Sequence, residues 1–187
     1  MGLNLVDTFT ISSNVTSIII GGGSSGSSTY NFAIDSTYNV YKLVINGLKV
    51  SADDAPFLKV TKSGTAQSDA KYDESKRYLK ADAAYAIINQ SGVTTGSDAM
   101  ATVDSGNAAG GGHGVYYLFN FPNSSEYSYV SIEQVHLKAG DDTPYGFQGG
   151  FTHRVASASD GLLISANNHA SGSELTAGTF TLYGLSK

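Results

Sequence analysis

Short segments in which apolar and polar residues alternate are the feature that most constrains how this chain folds. Two of them, Gly161–Ala166 and Thr179–Leu185, flank a loop rich in Gly, Ser and Asn near the C-terminal end. A period of two residues is typical of a β-strand with one buried face, and two such segments around a turn-rich loop predict a β-hairpin. The second segment carries apolar residues on both faces, so we expect it in the middle of a sheet.

Segments of the same kind recur along the chain and are separated by turn-forming residues. They are Thr8–Ser12, Thr16–Ile20, Asn31–Asp35, Asn39–Gly47, Phe57–Lys62, Ala83–Ile88, Gly114–Phe121, Tyr127–Lys138 and Phe151–Ala156. Tyr41, Leu43 and Ile45 share one face of their segment, as do Leu58 and Val60 of theirs. Charged residues make up only 14% of the chain, against a typical ~25%, which favours strands and turns over a helix bundle. These roughly eight to eleven strands predict an all-β fold, a β-sandwich of jelly-roll type.

Three segments leave the local structure open. The densely charged Asp69–Asp82 is predicted as a long loop with a strand only at its end, and a short exposed helix is the alternative. Ala83–Ile88 is a strand candidate, although Ala81–Asn89 also has the composition of a short helix. In Tyr127–Lys138 the apolar residues change parity near Glu133, which predicts a β-bulge.

A Gly- and Ser-rich stretch, Gly21–Tyr30, divides the chain into a predicted N-terminal arm (residues 1–30) and a sandwich domain (residues 31–187). We expect the arm to dock on a neighbouring subunit, with an ordinary flexible loop as the alternative. The long loop Ser91–Gly112 is a second candidate for partner contacts, because loops of this length in compact domains are usually functional. The predicted interface residues are Phe9, Ile11, Ile18, Ile20, Val93, Met100 and Val103.

The charge pattern argues against several classes of partner. The formal net charge is −5 and no block of Lys or Arg occurs, so we expect neither nucleic acid nor an anionic membrane as a partner. The absence of cysteine removes disulfides and thiolate metal sites. The N-terminal residues lack the pattern of a signal peptide, and strictly apolar runs, such as Ile18–Ile20, reach only three residues, far short of a membrane span. These features predict synthesis in a reducing cytoplasm.

The sequence offers no convincing catalytic or cofactor motif. Gly21–Gly26 matches both the dinucleotide spacing G-x-G-x-x-G and the nucleophile spacing G-x-S-x-G. Both motifs need a helix to follow, and the next residues show no helical periodicity. In a tract made of Gly and Ser these matches are expected by chance. We therefore expect no cofactor and no enzymatic activity.

Histidine and aspartate residues give no metal-binding pattern either. The four histidines are scattered, without the spacing that would place two imidazoles on one metal. The aspartate pairs lie in turns and lack the ligand spacing of a calcium loop. The residues concerned are His113, His136, His153, His169, Asp53, Asp54, Asp141 and Asp142.

Four tyrosines near predicted loop–strand junctions are candidates for stacking on sugars. They are Tyr116, Tyr127, Tyr129 and Tyr145. The absence of tryptophan weakens this interpretation, and tyrosines in strands usually pack within the protein. A tyrosine at a subunit interface is the third alternative.

Several segments, in order and spacing, resemble a family of tailed-bacteriophage virion structural proteins, described as tail-fibre-like, minor structural or capsid-decoration proteins. The segments are YKLVING (Tyr41–Gly47), FLKVTKSG (Phe57–Gly64), KRYL (Lys76–Leu79), LFNFP (Leu118–Pro122), Tyr127–Ile132, and Asp160–Gly161 through to the terminal GTFTLYGL. The resemblance extends over about Asn31–Leu185, and the terminal segment is its most specific part.

This resemblance implies a non-enzymatic β-sandwich that assembles on the virion as a homotrimer after synthesis in the host cytoplasm. Its partners would be copies of itself and the major capsid protein or another virion protein. A capsid-decoration protein, of cement or head-fibre type, is the first expectation. A tail-associated module that recognises host-surface carbohydrate is the alternative.

Overall fold

The computed structural model describes residues 2–22, 29–30, 34–81, 85–94, 96–98, 110–138, 143–166 and 171–186. These residues form strands, turns and irregular segments and contain no helix that could span a membrane. The strands are β1 (Leu3–Thr10), β2 (Ser17–Gly21), β3 (Thr29–Tyr30), β4 (Val40–Val50), β5 (Phe57–Lys62), β6 (Thr65–Ala66), β7 (Tyr72–Lys80), β8 (Ala86–Val93), β9 (Ser97–Asp98), β10 (Gly112–Phe119), β11 (Ser128–Leu137), β12 (Pro144–His153), β13 (Gly161–Ser165) and β14 (Leu175–Leu185).

These strands form two sheets. The larger sheet has eight antiparallel strands in the order β1-β14-β4-β10-β11-β12-β7-β8. The smaller sheet has the order β3-β2-β13-β5-β6, and β9 also pairs with β5. The prediction of an all-β sandwich is confirmed.

The chain passes repeatedly from one sheet to the other. β1, β14, β4 and β10 are neighbours in the larger sheet, while β2, β13 and β5 are neighbours in the smaller one. The chain therefore changes sheet between β1 and β2, between β4 and β5, and between β13 and β14. Alternation between two layers is consistent with a β-sandwich, and the jelly-roll type stays a prediction. Strands β11, β12, β7 and β8 extend the larger sheet on the far side of β10.

The hydrophobic core lies between the inner faces of the two sheets. In β4, Tyr41, Leu43 and Ile45 are at most 1% exposed, and in β5, Leu58 and Val60 are fully buried. The inward faces predicted for these two strands are confirmed. Complete burial of a large apolar side chain stabilises a fold by about 1.5–3 kcal/mol, so these alternating positions determine which face of each strand turns inward.

The N-terminal residues are not a separate arm, contrary to the prediction. β1 pairs with β14 from Leu3 opposite Leu185 to Thr10 opposite Thr179, and β2 pairs with β13. The first two strands thus belong one to each sheet. Their apolar side chains complete the core, which explains why the segment does not detach; residues 23–28 of the predicted linker lie outside the described residues.

The predicted C-terminal hairpin is also wrong. β13 pairs with β2 and β5 in the smaller sheet, whereas β14 pairs with β1 and β4 in the larger one. The chain between them crosses from one layer to the other. Alternation in a strand shows that one face is buried, but it does not show which strand lies beside it. The expectation that the last strand lies within a sheet is confirmed.

The charged segment predicted as a loop is strand β7, which lies between β12 and β8. Its inward positions include Glu74 and Lys76, which are 6% and 2% exposed and form an ion pair of 2.9 Å. The ammonium group also lies 5.4 Å from the ring centroid of Phe147. Because charged residues occupy inward positions, the period of two was not visible as hydrophobic alternation.

The β-bulge predicted near Glu133 is absent from β11, whose pairing with β10 and β12 is regular. The alternation continues inward through Gln134 and His136, which are 7% and 2% exposed. Val135 points outward and is 51% exposed. The apparent change of parity arises because two polar residues are buried and an apolar one is exposed.

Candidate functional site

The residues predicted to form an interface serve the chain's own packing instead. Ile11, Ile18 and Ile20 are core residues that are at most 7% exposed, and Phe9 and Val93 pack against the core. The ring of Phe9 stacks on Phe180 with centroids 6.2 Å apart. The three buried isoleucines are not available to a second chain, so the prediction is wrong for them. Phe9 and Val93 are only partly buried, and their place at an interface stays a prediction. Met100 and Val103 lie outside the described residues.

Other apolar side chains are exposed, and the sequence reasoning missed them. Leu3 (55%), Leu5 (63%), Leu79 (48%), Ile87 (60%) and Val135 (51%) lie on the outer face of the larger sheet, the face that points away from the smaller sheet. The first two belong to β1 and Ile87 belongs to β8, which are the edge strands of that sheet. Once the register of the strands is known, these residues can be assigned to the outer face because they alternate with the buried residues of the same strands.

The four tyrosines proposed for sugar contact divide into two groups. Tyr116 is fully buried, and its burial raises the pKa of its hydroxyl far above the usual value. Tyr145 is 5% exposed and stacks on Tyr78 with centroids 5.9 Å apart. The prediction is therefore wrong for these two tyrosines. Tyr127 and Tyr129 are 42% and 44% exposed, so both can be reached by a ligand.

A hollow of about 440 Å³ opens on the outer face of the larger sheet beside Tyr129. Its floor is a row of small residues across three strands: Ser131 of β11, Gly150 of β12 and Ser75 of β7 are register partners. Gly149 next to them has φ +154°, and a Cβ there would lie 2.3 Å from the carbonyl oxygen of Ser75. Only glycine fits that position, and the small side chains of the row leave the surface low.

Two further hollows continue this one, and we call the three together the outer trough. The first shares Tyr129 and is lined by Asn120, Ser125, Glu126, Tyr127 and Ala156. The second shares Ser75 and Gly149 and is lined by Lys76, Arg77, Tyr85, Ile87 and Gln148. The outer trough thus crosses β11, β12, β7 and β8, which lie about 4.8 Å apart.

Asp73 gives the outer trough a fixed carboxylate. Its Oδ1 accepts hydrogen bonds from the Ser91 hydroxyl (2.7 Å) and the Gly92 amide (2.8 Å), and its Oδ2 forms an ion pair with Arg154. The hydrogen bond from Ser91, followed by the others, lowers the pKa of Asp73. The carboxylate is therefore ionised and oriented before any ligand arrives.

The other polar groups of the outer trough are also held by their neighbours. Ser75 donates to the Asn89 side-chain oxygen (2.8 Å), and Arg77 donates to the Gln148 side-chain oxygen (3.0 Å). These bonds use the amide oxygens, so the amide N–H groups of Asn89 and Gln148 remain as donors. Tyr129 and Phe119 line one side of the outer trough together with Asp73, which lies in the same register row beyond Thr152, while Arg77 and Gln148 line the other side.

A second polar cluster lies on the inner face of the larger sheet and is closed to solvent. His136 contacts Gln134 through its Nδ1 at 3.0 Å, and burial lowers the pKa of His136 to about 4. The His136 ring stacks on Phe147 with centroids 6.3 Å apart. Because these groups are buried, the cluster offers no access to a substrate.

The described residues contain no group of three or more His, Asp or Glu side chains close enough to hold a metal ion. His113 contacts Asn46 at 2.6 Å, and His153 contacts Asp69 at 2.7 Å. Both lie on strands next to that of His136, but His113 is exposed, and His153 pairs with Ser128 near the opposite end of β11. Asp54 is fully buried and accepts a hydrogen bond from the amide of Ala55. His169, Asp141 and Asp142 lie outside the described residues.

The fold defines the class of this protein as an all-β sandwich. No family model, no curated protein and no solved structure matches the chain. Its function is therefore argued from its own surfaces, which are the exposed apolar residues at the sheet edges and the outer trough.

Proposed function

We propose that this chain is a non-enzymatic structural component of a tailed-phage virion, and specifically a capsid-decoration protein of cement or head-fibre type. It would act by binding copies of itself, as a homotrimer, and the shell or another virion protein. The resemblance of its sequence to that family supports the proposal. The structural observation that carries it is the exposed apolar edge of the larger sheet, formed by β1 with Leu3 and Leu5.

An open edge strand of this kind is a site for adding another strand. Within the described residues β1 pairs only with β14 and so forms an edge of the larger sheet. Monomeric proteins usually protect such edges with charged residues or proline, but the only charged residue of β1 is Asp7. Leu3 and Leu5 lie on the adjacent outer face, where a partner strand would cover them. Strand addition with burial of these leucines would contribute both backbone hydrogen bonds and apolar contacts to the assembly.

Sedimentation of the purified protein tests the assembly, with Leu5→Lys as the disrupting variant and Ser171→Lys, in an exposed turn, as the control for added charge. We expect an oligomer for the wild type and the control, and a monomer for Leu5→Lys. Immunoelectron microscopy with an antibody against the chain then tests its presence on phage particles. A wild-type monomer that is absent from particles would contradict the proposal.

A second candidate function is a receptor-binding module for host-surface carbohydrate. The observation that favours it is the exposure of Tyr127 and Tyr129 along the outer trough. Both functions are compatible with a virion protein, because β1 and the outer trough are separate parts of the larger sheet.

A further inference from the structure

We propose that the outer trough binds an extended neutral oligosaccharide. Tyr129 would be its aromatic contact, and its polar contacts would be the side chains of Asp73, Arg77, Asn89 and Gln148. This inference rests on the carbohydrate-binding candidate function and gives it a site and a class of ligand. It does not depend on assembly through β1, which lies at the opposite edge of the larger sheet from β8.

The shape of the outer trough fits an extended chain molecule. The floor row continues from Ser131, Gly150 and Ser75 to Tyr117 of β10 on one side and Asn89 of β8 on the other. Four strand spacings separate the ends of this row, which is about 19 Å. The walls on β7 are Asp73 and Arg77, four residues apart, which is about 13 Å. A short oligosaccharide lying across the strands matches these dimensions.

One wall of the outer trough is aromatic. Phe119 and Tyr129 are register partners on neighbouring strands and are 37% and 44% exposed. Tyr117 stacks on Phe119 with centroids 6.3 Å apart and the ring planes within 29°. A sugar ring presents a face of C–H groups, and an exposed aromatic ring is an apolar surface of suitable size for it.

Ordered polar side chains complete the outer trough: Asp73 extends the aromatic wall, Arg77 and Gln148 form the opposite wall, and Asn89 ends the floor row. A sugar also presents neighbouring hydroxyl groups, which bind planar side chains that offer two donors or two acceptors. Asp73, Arg77, Gln148 and Asn89 are such side chains, and each is held by a hydrogen bond to a neighbour. Because their positions are fixed before binding, less conformational entropy is lost when the ligand arrives.

The charge of the outer trough indicates a neutral ligand. Asp73 is paired with Arg154, and Arg77 is bonded to an uncharged amide oxygen. Glu126 lies at the other end of the outer trough. Both signs are present and neither dominates, so no cluster of cations favours an acidic sugar.

The test is binding of the purified full chain to an array of neutral and acidic oligosaccharides of graded length. Tyr129→Ala removes the aromatic contact, and Ser131→Trp fills the floor. Val135→Ala is the matched control, because Val135 lies on the same face of the same strand but outside the outer trough. Circular dichroism and the thermal midpoint verify that each variant is folded.

We expect the wild type and Val135→Ala to bind the same neutral oligosaccharides, Tyr129→Ala to bind about tenfold more weakly, and Ser131→Trp to lose binding. If folded Tyr129→Ala and Ser131→Trp both bound as tightly as the wild type, the proposed site would be overturned, and the carbohydrate-binding candidate function would remain. Binding of acidic sugars alone would overturn the class of ligand. Failure of the wild type to bind any oligosaccharide would overturn both the site and the candidate function, but not the assembly role.

Discussion

Acid should destabilise this protein through the buried side chain of His136. Burial lowers the pKa of His136 from 6.5 to about 4 in the folded state. Between these values the unfolded chain binds a proton that the folded chain does not. Stability therefore falls as the pH falls from about 6.5 to about 4, and above pH 6.5 this residue contributes no pH dependence.

The expected loss is large for a single residue. A difference of about 2.5 pKa units, from 6.5 to about 4, corresponds to about 3 kcal/mol, since one unit is 1.36 kcal/mol. The groups around His136 do not offset this loss. Lys80 and Lys138 lie over the ring of Tyr145, whose centroid is 6.0 Å from that of His136, and both are cationic. Glu74 on the same inner face is already paired with Lys76.

The assay is urea unfolding followed by circular dichroism at a series of pH values from 4 to 8, for the wild type and His136→Phe. The quantity compared is the slope of the unfolding free energy against pH, because the substitution also removes the contact with Gln134. We expect the slope between pH 4 and 6.5 to be largely lost in His136→Phe and retained in His113→Gln. Asp35 and Asp73, whose pKa values are lowered in the folded state, begin to lose their contributions below about pH 5, but they do so equally in both proteins and leave the difference between the two slopes unchanged. Equal slopes in the wild type and His136→Phe would refute the reasoning.

Three further substitutions test the packing by urea unfolding. Gly149→Ala should destabilise by about 2 kcal/mol or more, because its Cβ would lie 2.3 Å from the Ser75 carbonyl oxygen at φ +154°. Asp160→Ala should cost about 2 kcal/mol, because it removes the bonds from the Thr61 hydroxyl (2.8 Å) and a backbone amide (3.0 Å). Phe180→Ala should cost about 3–5 kcal/mol, because the side chain is fully buried in the core.

Each of these expectations has a control or a contrary outcome. Gly172 also has a positive φ, but nothing lies within 4 Å of the position of its Cβ, so Gly172→Ala should cost less than Gly149→Ala. Equal losses of unfolding free energy in the two variants would show that the backbone around Gly149 shifts enough to accommodate the added Cβ. An unchanged unfolding free energy for Asp160→Ala would show that solvent replaces both hydrogen bonds. A cost below about 1 kcal/mol for Phe180→Ala would contradict its place in the core.

The sequence predicts the strands whose inward residues are apolar. Tyr41, Leu43 and Ile45 show one buried face without further information, and they are buried. β7 was missed because Glu74 and Lys76 neutralise each other in the interior, and a buried ion pair leaves no apolar pattern. Pairing partners were missed because they depend on contacts between residues far apart in the chain.

The candidate site was predictable only in part. The composition identified Tyr127 and Tyr129, but it identified Tyr116 equally, and only the register separates an outward tyrosine from a buried neighbour. The floor of the outer trough comes from Ser131, Gly150 and Ser75, on three strands of the larger sheet. A single small residue in the sequence does not indicate a binding site. The depression arises only because the folded sheet places these three residues side by side.

The pairing of the first strand with the last has a practical consequence for handling this protein. The amide of Gly2 donates to the Ser186 hydroxyl (2.9 Å), and the Ser186 amide donates to the Gly2 carbonyl (3.0 Å). An affinity tag or fusion partner attached at either end would therefore emerge at the same corner, next to Leu3. Such an addition would shield the edge that we propose as the contact between copies, so untagged protein is the proper material for measuring association. A circular permutant, in which a short linker joins the two ends and new ends are opened in a distant turn, would carry a tag away from that corner.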